Sequence, residues 1–113
     1  MGITYIEGTV MGSTGKQAKA KFLVDSGAKY TVLPADMWKT MGLSPKRRLT
    51  FVLADGTQIE RDVSETYIVL PQGEGHTPVV LGEGDQALLG GVTREELGLV
   101  FNPFQRSARM MMA

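Results

Sequence analysis

The chain has no cysteine, a single histidine and a single tryptophan. The absence of cysteine excludes a disulfide framework and thiolate zinc sites, and it suits a reducing compartment. The one histidine, His76, cannot build a multi-histidine metal site and reads as a loop residue rather than as the base of a triad. No apolar run approaches the roughly 20 residues that a bilayer-spanning helix needs. Neither sign of charge predominates: 12 Lys and Arg balance 12 Asp and Glu, so no overall field favours nucleic acid or an anionic membrane. The segment Met1-Gly2-Ile3-Thr4-Tyr5-Ile6-Glu7 has neither the basic start nor the apolar core of a secretory signal. These absences lead to the expectation of a soluble, cytoplasmic chain without nucleic-acid or membrane partners.

What is present is the composition of an ordinary globular domain, 42% hydrophobic and 21% charged. A length of 113 residues suits one domain, expected over residues 1–105. Residues 106–113, with two arginines and three consecutive methionines, are expected to be a C-terminal tail or a dimer-interface strand.

Glycine divides the chain into short strands. Ile3 to Met11 and Ala18 to Val24 flank the turn Gly12-Ser13-Thr14-Gly15-Lys16 and predict a hairpin. Tyr30 to Leu33 predicts another strand. Pro34 then opens a short helix with Met37, Trp38 and Met41 on one side and Gly42 as its stop. Arg48 to Leu53 and Gln58 to Val63 flank Ala54-Asp55-Gly56-Thr57, a strong hairpin signal because glycine tolerates the positive φ of the turn. Glu65 to Leu70 predicts a separate strand, Pro71 to Gly75 a turn, and Thr77 to Leu81 a further strand. Thr93-Arg94-Glu95-Glu96 has the spacing of a capping box with Thr93 at the cap, and Gly98 can close that helix. Leu99 to Phe101 predicts a last short strand before Asn102-Pro103.

The most informative feature is Phe22-Leu-Val-Asp25-Ser26-Gly27-Ala28, an apolar strand that runs straight into a carboxylate. By itself an Asp after a strand is often only a turn residue. A carboxylate at the end of a buried strand, however, costs free energy unless it is paired or hydrogen-bonded. About sixty residues on, Ala87-Leu88-Leu89-Gly90 supplies a second apolar run ending in glycine, and the Asp55-Gly56 hairpin lies between.

In that order these motifs resemble the retropepsin-like aspartic proteases, the half-length retroviral type, from about Ile3 to Asn102. The resemblance implies an all-β, closed, barrel-like fold with one or two short helices, and a homodimeric aspartic endopeptidase acting on peptide or protein substrates without metal or cofactor. In that family a water lies between two carboxylates, each from an Asp-Thr/Ser-Gly loop, and the pair shares one proton. Asp25 matches the catalytic carboxylate, Ser26 the hydroxyl that bonds across to the partner loop, and Gly27 the position that lets substrate backbone come close. Thr31 is expected to tie the loop to its strand. Asp36, Asp55, Asp62 and Asp85 lack a following Ser/Thr-Gly, so the chain carries half a site and the second Asp25 must come from a two-fold partner. By the same resemblance Asp55 and Gly56 belong to a flap over the substrate, and Ala28, Val32, Ile59, Gln86 and Leu88 line the cleft.

Two positions depart from the family pattern. Lys29 stands where retroviral members usually have an acid, and Gly91 where they often have an arginine, so the ion pair those positions form is missing as a whole. Lys29 also supports an alternative, a retropepsin-fold module that dimerises and binds peptides or proteins without cutting them, because a cation beside the pair would favour ionisation of both carboxylates. Lys46-Arg47-Arg48 reads as a solvated strand edge, and Glu83 with Asp85 lacks the pattern of a calcium loop.

Overall fold

Alternating apolar residues in the first stretch form one wall of a barrel. The computed structural model describes residues 3–25, 27–102 and 107–110, with only the backbone described in 99–102 and 107–110. Strand β1 (Tyr5–Met11) turns Ile6 and Val10 inward and pairs antiparallel with β2 (Gln17–Val24), which buries Phe22 completely. The chain continues through β3 (Thr31–Leu33), α1 (Ala35–Met41), β4 (Arg47–Val52), β5 (Gln58–Leu70), β6 (Gly73–Leu81), β7 (Ala87–Leu89), α2 (Gly91–Glu96), β8 (Leu99–Asn102) and β9 (Ser107–Met110). No helix among the described residues is long and apolar enough to cross a membrane.

The strand order β1-β2-β7-β3-β6-β5 closes on itself through the β1–β5 pairing, giving a six-stranded barrel with β4 added at β5. Closure leaves none of these six strands with a fully open edge. Val10, Phe22, Leu33, Ile68, Val79 and Leu89 have no exposed surface and fill the interior, with Met41 of α1 and Leu97 after α2 packed against them. The fold is therefore the retropepsin-like one expected: mostly β, closed, with two short helices. Strands β8 and β9 pair antiparallel with each other in a separate two-stranded sheet.

Three local expectations are corrected. The strand expected to end at Val63 and restart at Glu65 is one continuous β5 of 13 residues. Val63 pairs on one side with Arg47 of β4 and on the other with Val80 of β6, so the strand changes neighbours there without breaking. Val63 and Ser64 are both buried, which interrupts the alternation, and the Ser64 hydroxyl is satisfied by the Ser44 carbonyl at 2.7 Å. The β5–β6 turn shrinks to Pro71-Gln72, and His76 lies on β6 with its ring edge-on to Tyr67 rather than in a loop. Thr93 is not a helix cap: Gly90 holds that position, and Thr93 is fully buried inside α2.

Candidate active site

Strand β7 lies between β2 and β3, parallel to the first and antiparallel to the second. That insertion brings the ends of β2 and β7, distant in sequence, to the same place. Asp25 directly follows β2, and its backbone N–H donates to the Leu89 carbonyl at 3.3 Å. The loop then curls on itself: Ala28 N–H donates to the Asp25 carbonyl at 3.1 Å, and Gly27 N–H donates to Asp25 Oδ1 at 2.9 Å. The carboxylate is half-buried and has a backbone donor of its own, which offsets part of the cost of taking a charge out of water. Ser26 lies outside the described residues.

The start of α2 locks onto this loop. Gly91 N–H donates to the Ala28 carbonyl at 2.9 Å and Val92 N–H to the Lys29 carbonyl at 2.8 Å. Backbone bonds thus join the Ala28-Lys29 and Gly91-Val92 segments, between which an ion pair was noted as missing. Lys29 is exposed, forms no ion pair among the described residues, and places its ammonium 5.7 Å from the centre of the Tyr30 ring. Behind the loop, Thr31 is fully buried; its hydroxyl accepts from Gly90 N–H at 3.0 Å and meets the Thr93 hydroxyl at 2.5 Å. Thr31 does tie the loop region back, through Gly90.

The other expected site residues divide into two groups. Val32 and Leu88 are cross-strand partners and half-buried; a Cβ on Gly82 would come within 2.7 Å of Val32 Cγ1, so the loop after β6 sits directly against Val32. Ala28, Val32 and Leu88 are therefore carried by the Asp25 loop and by β3 and β7 beside it. Gln86 is exposed and turns its amide to the Ala87 carbonyl at 3.0 Å. Asp55, Gly56 and Ile59 belong to the β4–β5 hairpin, with Asp55 and Gly56 exposed at its tip. The hairpin ends in a three-residue loop, Gly56 at φ +87°, closed by Leu53 N–H on the Thr57 carbonyl at 2.7 Å. Thr57 N–H donates to Asp55 Oδ1 at 2.9 Å, and Thr57, chiefly through its hydroxyl and then its N–H, holds the Asp55 carboxyl below its ordinary value.

Two contributors were not among the expected site residues. Phe51 of β4 sets its ring edge-on to Tyr30, centroids 6.0 Å apart, which links the hairpin to the segment following the Asp25 loop. Trp38 of α1 donates its indole N–H to the Gly82 carbonyl at 2.7 Å, and Ala35 N–H donates to the Gly84 carbonyl at 3.0 Å, so α1 braces the 82–86 loop. Aromatic residues bracketing both motifs were the available signal. A groove of about 530 Å³ on β1, β2 and the end of β5, lined by Glu7, Thr9, Lys19, Lys21, Val69 and Pro71 among others, shares no residue with the Asp25 loop. Among the described residues no group of three or more His, Cys, Asp or Glu is placed to hold a metal ion.

A closed barrel with an Asp-x-Gly loop braced by a second glycine turn defines the class, the half-length aspartic protease fold. The family described as "gag-polyprotein putative aspartyl protease" matches residues 10–92, and the chain belongs to it. Among solved structures, the fold is similar to the solution structure of Simian Foamy Virus (mac) protease, with a TM-score of 0.58 at 19% identity, covering 82% of this chain and 90% of that one. No curated protein is similar enough to count as a match.

Proposed function

We propose that the chain is a homodimeric aspartic endopeptidase whose active site forms when two Asp25 loops meet across a two-fold axis. The observation that carries this reading is the Asp25 loop itself: a half-buried carboxylate fixed by Gly27 N–H, on a backbone bonded to Leu89 and, through Ala28 and Lys29, to Gly91 and Val92. One chain supplies one such carboxylate, and an isologous contact supplies the second. At close spacing the two hold a single proton. The unprotonated carboxylate takes a proton from the bound water, which attacks the scissile carbonyl. The protonated one stabilises the developing oxyanion and passes a proton toward the leaving nitrogen. The role assigned to Ser26 is a hydroxyl bond to the partner loop, and that of Gly27 is to leave room for substrate backbone.

In this reading Ala28, Val32, Ile59, Gln86 and Leu88 contact substrate, and the hairpin carrying Asp55 and Gly56 closes over it, excluding water. Its exposed Val52 and Leu53 are apolar groups that such closure would cover. Residues 1–105 are assigned to the protease domain, and 106–113 to a C-terminal tail or a dimer-interface strand. The alternative, a peptide-binding dimer without catalysis, draws on Lys29, whose ammonium lies over Tyr30 and forms no ion pair among the described residues.

The deciding experiment joins two copies by a flexible linker and changes Asp25→Asn in one copy only, at a concentration low enough that pairing stays within the linked molecule. A shared pair predicts near-complete loss of peptide cleavage relative to the unmutated tethered protein. Retention of half the rate would overturn the shared-carboxylate mechanism, and absence of cleavage by the unmutated protein would leave the binding-module reading.

A further inference from the structure

A chain of four hydrogen bonds through three hydroxyls runs from the second glycine turn into the barrel. Gly90 N–H donates to Thr31 Oγ1 at 3.0 Å; Thr31 Oγ1 lies 2.5 Å from Thr93 Oγ1; Thr93 Oγ1 lies 2.7 Å from Thr77 Oγ1; Thr77 Oγ1 lies 3.2 Å from the Pro78 carbonyl. All three threonines are at most 1% exposed. They come from β3, α2 and β6, so the chain ties together three elements that meet only in the folded protein.

The direction of donation follows from proton counting. Each hydroxyl has one hydrogen to give. An amide begins the chain and a carbonyl, which can only accept, ends it. Thr31 therefore donates to Thr93, Thr93 to Thr77 and Thr77 to Pro78. Reversing the order would leave the Thr31 hydrogen without an acceptor among these groups and the Pro78 carbonyl without its donor. At this degree of burial an arrangement that satisfies every member is rigid, because each lost partner leaves a buried polar group unmatched.

We infer that Thr93 is a positioning residue for the Asp25 loop. The route is short and made of observed bonds. Thr93 fixes Thr31, Thr31 fixes the Gly90 amide, and the next two amides, Gly91 and Val92, donate to the carbonyls of Ala28 and Lys29 in the loop that carries Asp25. Asp25 itself leans on the residue before Gly90, through its N–H to Leu89. Loosening the hydroxyl chain at its middle member thus frees the turn against which the carboxylate is set. This assignment rests on the proposed role of Asp25 for its effect on rate, but its structural half does not.

The test compares Thr93→Val, which keeps the shape and removes the hydroxyl, with Thr93→Ser, which restores it. Two readouts are taken: amide hydrogen exchange of the folded protein, and kcat and KM for a peptide substrate. The expected result for Thr93→Val is exchange at Gly90, Gly91 and Val92 faster by about tenfold or more, the range for a lost buried hydrogen bond, against much smaller changes at Val10 and Ile68. The kcat falls about tenfold or more with KM held within about twofold, and Thr93→Ser returns both readouts to near wild type. Unchanged exchange at Gly90 to Val92, or an increase equal to that at Val10 and Ile68, would overturn the inference, as would a Thr93→Val protein with wild-type kcat. If Thr93→Val does not fold, Thr77→Val, which removes the next acceptor in the chain, is read by the same amide criterion with the same two outcomes. A wild-type protein that cuts no peptide would remove the proposed function alone, since the amide comparison still decides whether Thr93 holds the turn.

Discussion

Gly90 and Tyr30 are in direct backbone contact: a Cβ on Gly90 would lie 2.2 Å from the Tyr30 carbonyl carbon and 2.4 Å from its oxygen. The requirement is for space and not for an unusual conformation, since φ at Gly90 is −98°. Gly90→Ala is expected to push the second glycine turn away from the segment that follows the Asp25 loop, because rigid backbone cannot give way as a flexible side chain can. A destabilisation of at least about 1–3 kcal/mol, as for other overpacking substitutions, should appear as a lower urea midpoint with m unchanged. A midpoint equal to wild type would show that the two turns are not in contact in solution.

Trp38 braces the 82–86 loop through a single indole N–H. Trp38→Phe keeps an aromatic ring on α1 and removes the donor, so the expected loss is about 1 kcal/mol of stability. The loop it holds lies against Val32, and peptide KM should therefore rise more than kcat falls. A larger effect on kcat than on KM would place Trp38 closer to the chemistry than this geometry does.

Phe51 and Tyr30 form a ring contact between the hairpin and the segment after the Asp25 loop. Such an edge-to-face pair contributes about 0.5–1.5 kcal/mol beyond the area it buries. Phe51→Ala should speed amide exchange at Leu53, Gly56 and Thr57 and raise KM severalfold, with the barrel amides of Val10 and Ile68 unaffected. If the hairpin amides exchange at the wild-type rate, the pair does not restrain the hairpin.

The tip of the hairpin should respond to acid. The Asp55 carboxyl is held below its ordinary value of 3.8 by Thr57, so the ionised form is the one the turn favours. For a carboxyl depressed on folding, the contribution is complete above the ordinary value and disappears as pH falls through the lower, folded one. The Thr57 amide shift should titrate with a midpoint below 3.8, and Asp55→Asn should abolish that titration. Asp55 is fully exposed, so global stability is not expected to follow. A midpoint at or above 3.8 would contradict the Asp55–Thr57 bond.

Much of this arrangement was legible along the chain wherever the cause is local. Gly56 at φ +87° and Gly42 at φ +67° take the left-handed backbone their turns require, and both were marked as turn and helix stop by residue type alone. Asp25 could be picked out because a carboxylate at the end of Phe22-Leu23-Val24 needs partners, and the Gly27 N–H is one. Phe51, Trp38 and Thr93 were not recognised as site residues, since their partners Tyr30, Gly82 and Thr31 lie 21, 44 and 62 positions away.

The sequence by itself determined most of the strands and turns, the Asp25 loop and the single copy of its motif, because turn chemistry, alternation and residue type act over a few neighbours. Tertiary structure decided the rest. Thr93 has the spacing of a helix cap, yet burial beside Thr31 and Thr77 makes its hydroxyl a link in a buried chain, and Gly90 takes the cap because only a residue without Cβ fits against Tyr30. Val63 and Ser64 break the alternation of an isolated strand, yet β4, β6 and the Ser44 carbonyl satisfy them as one continuous strand. The placing of β7 between β2 and β3, which sets Leu89 beside Asp25, depends on barrel closure over Phe22, Leu33, Ile68 and Leu89. Such burial is collective, since each of these side chains finds its apolar surroundings only once the others are in place.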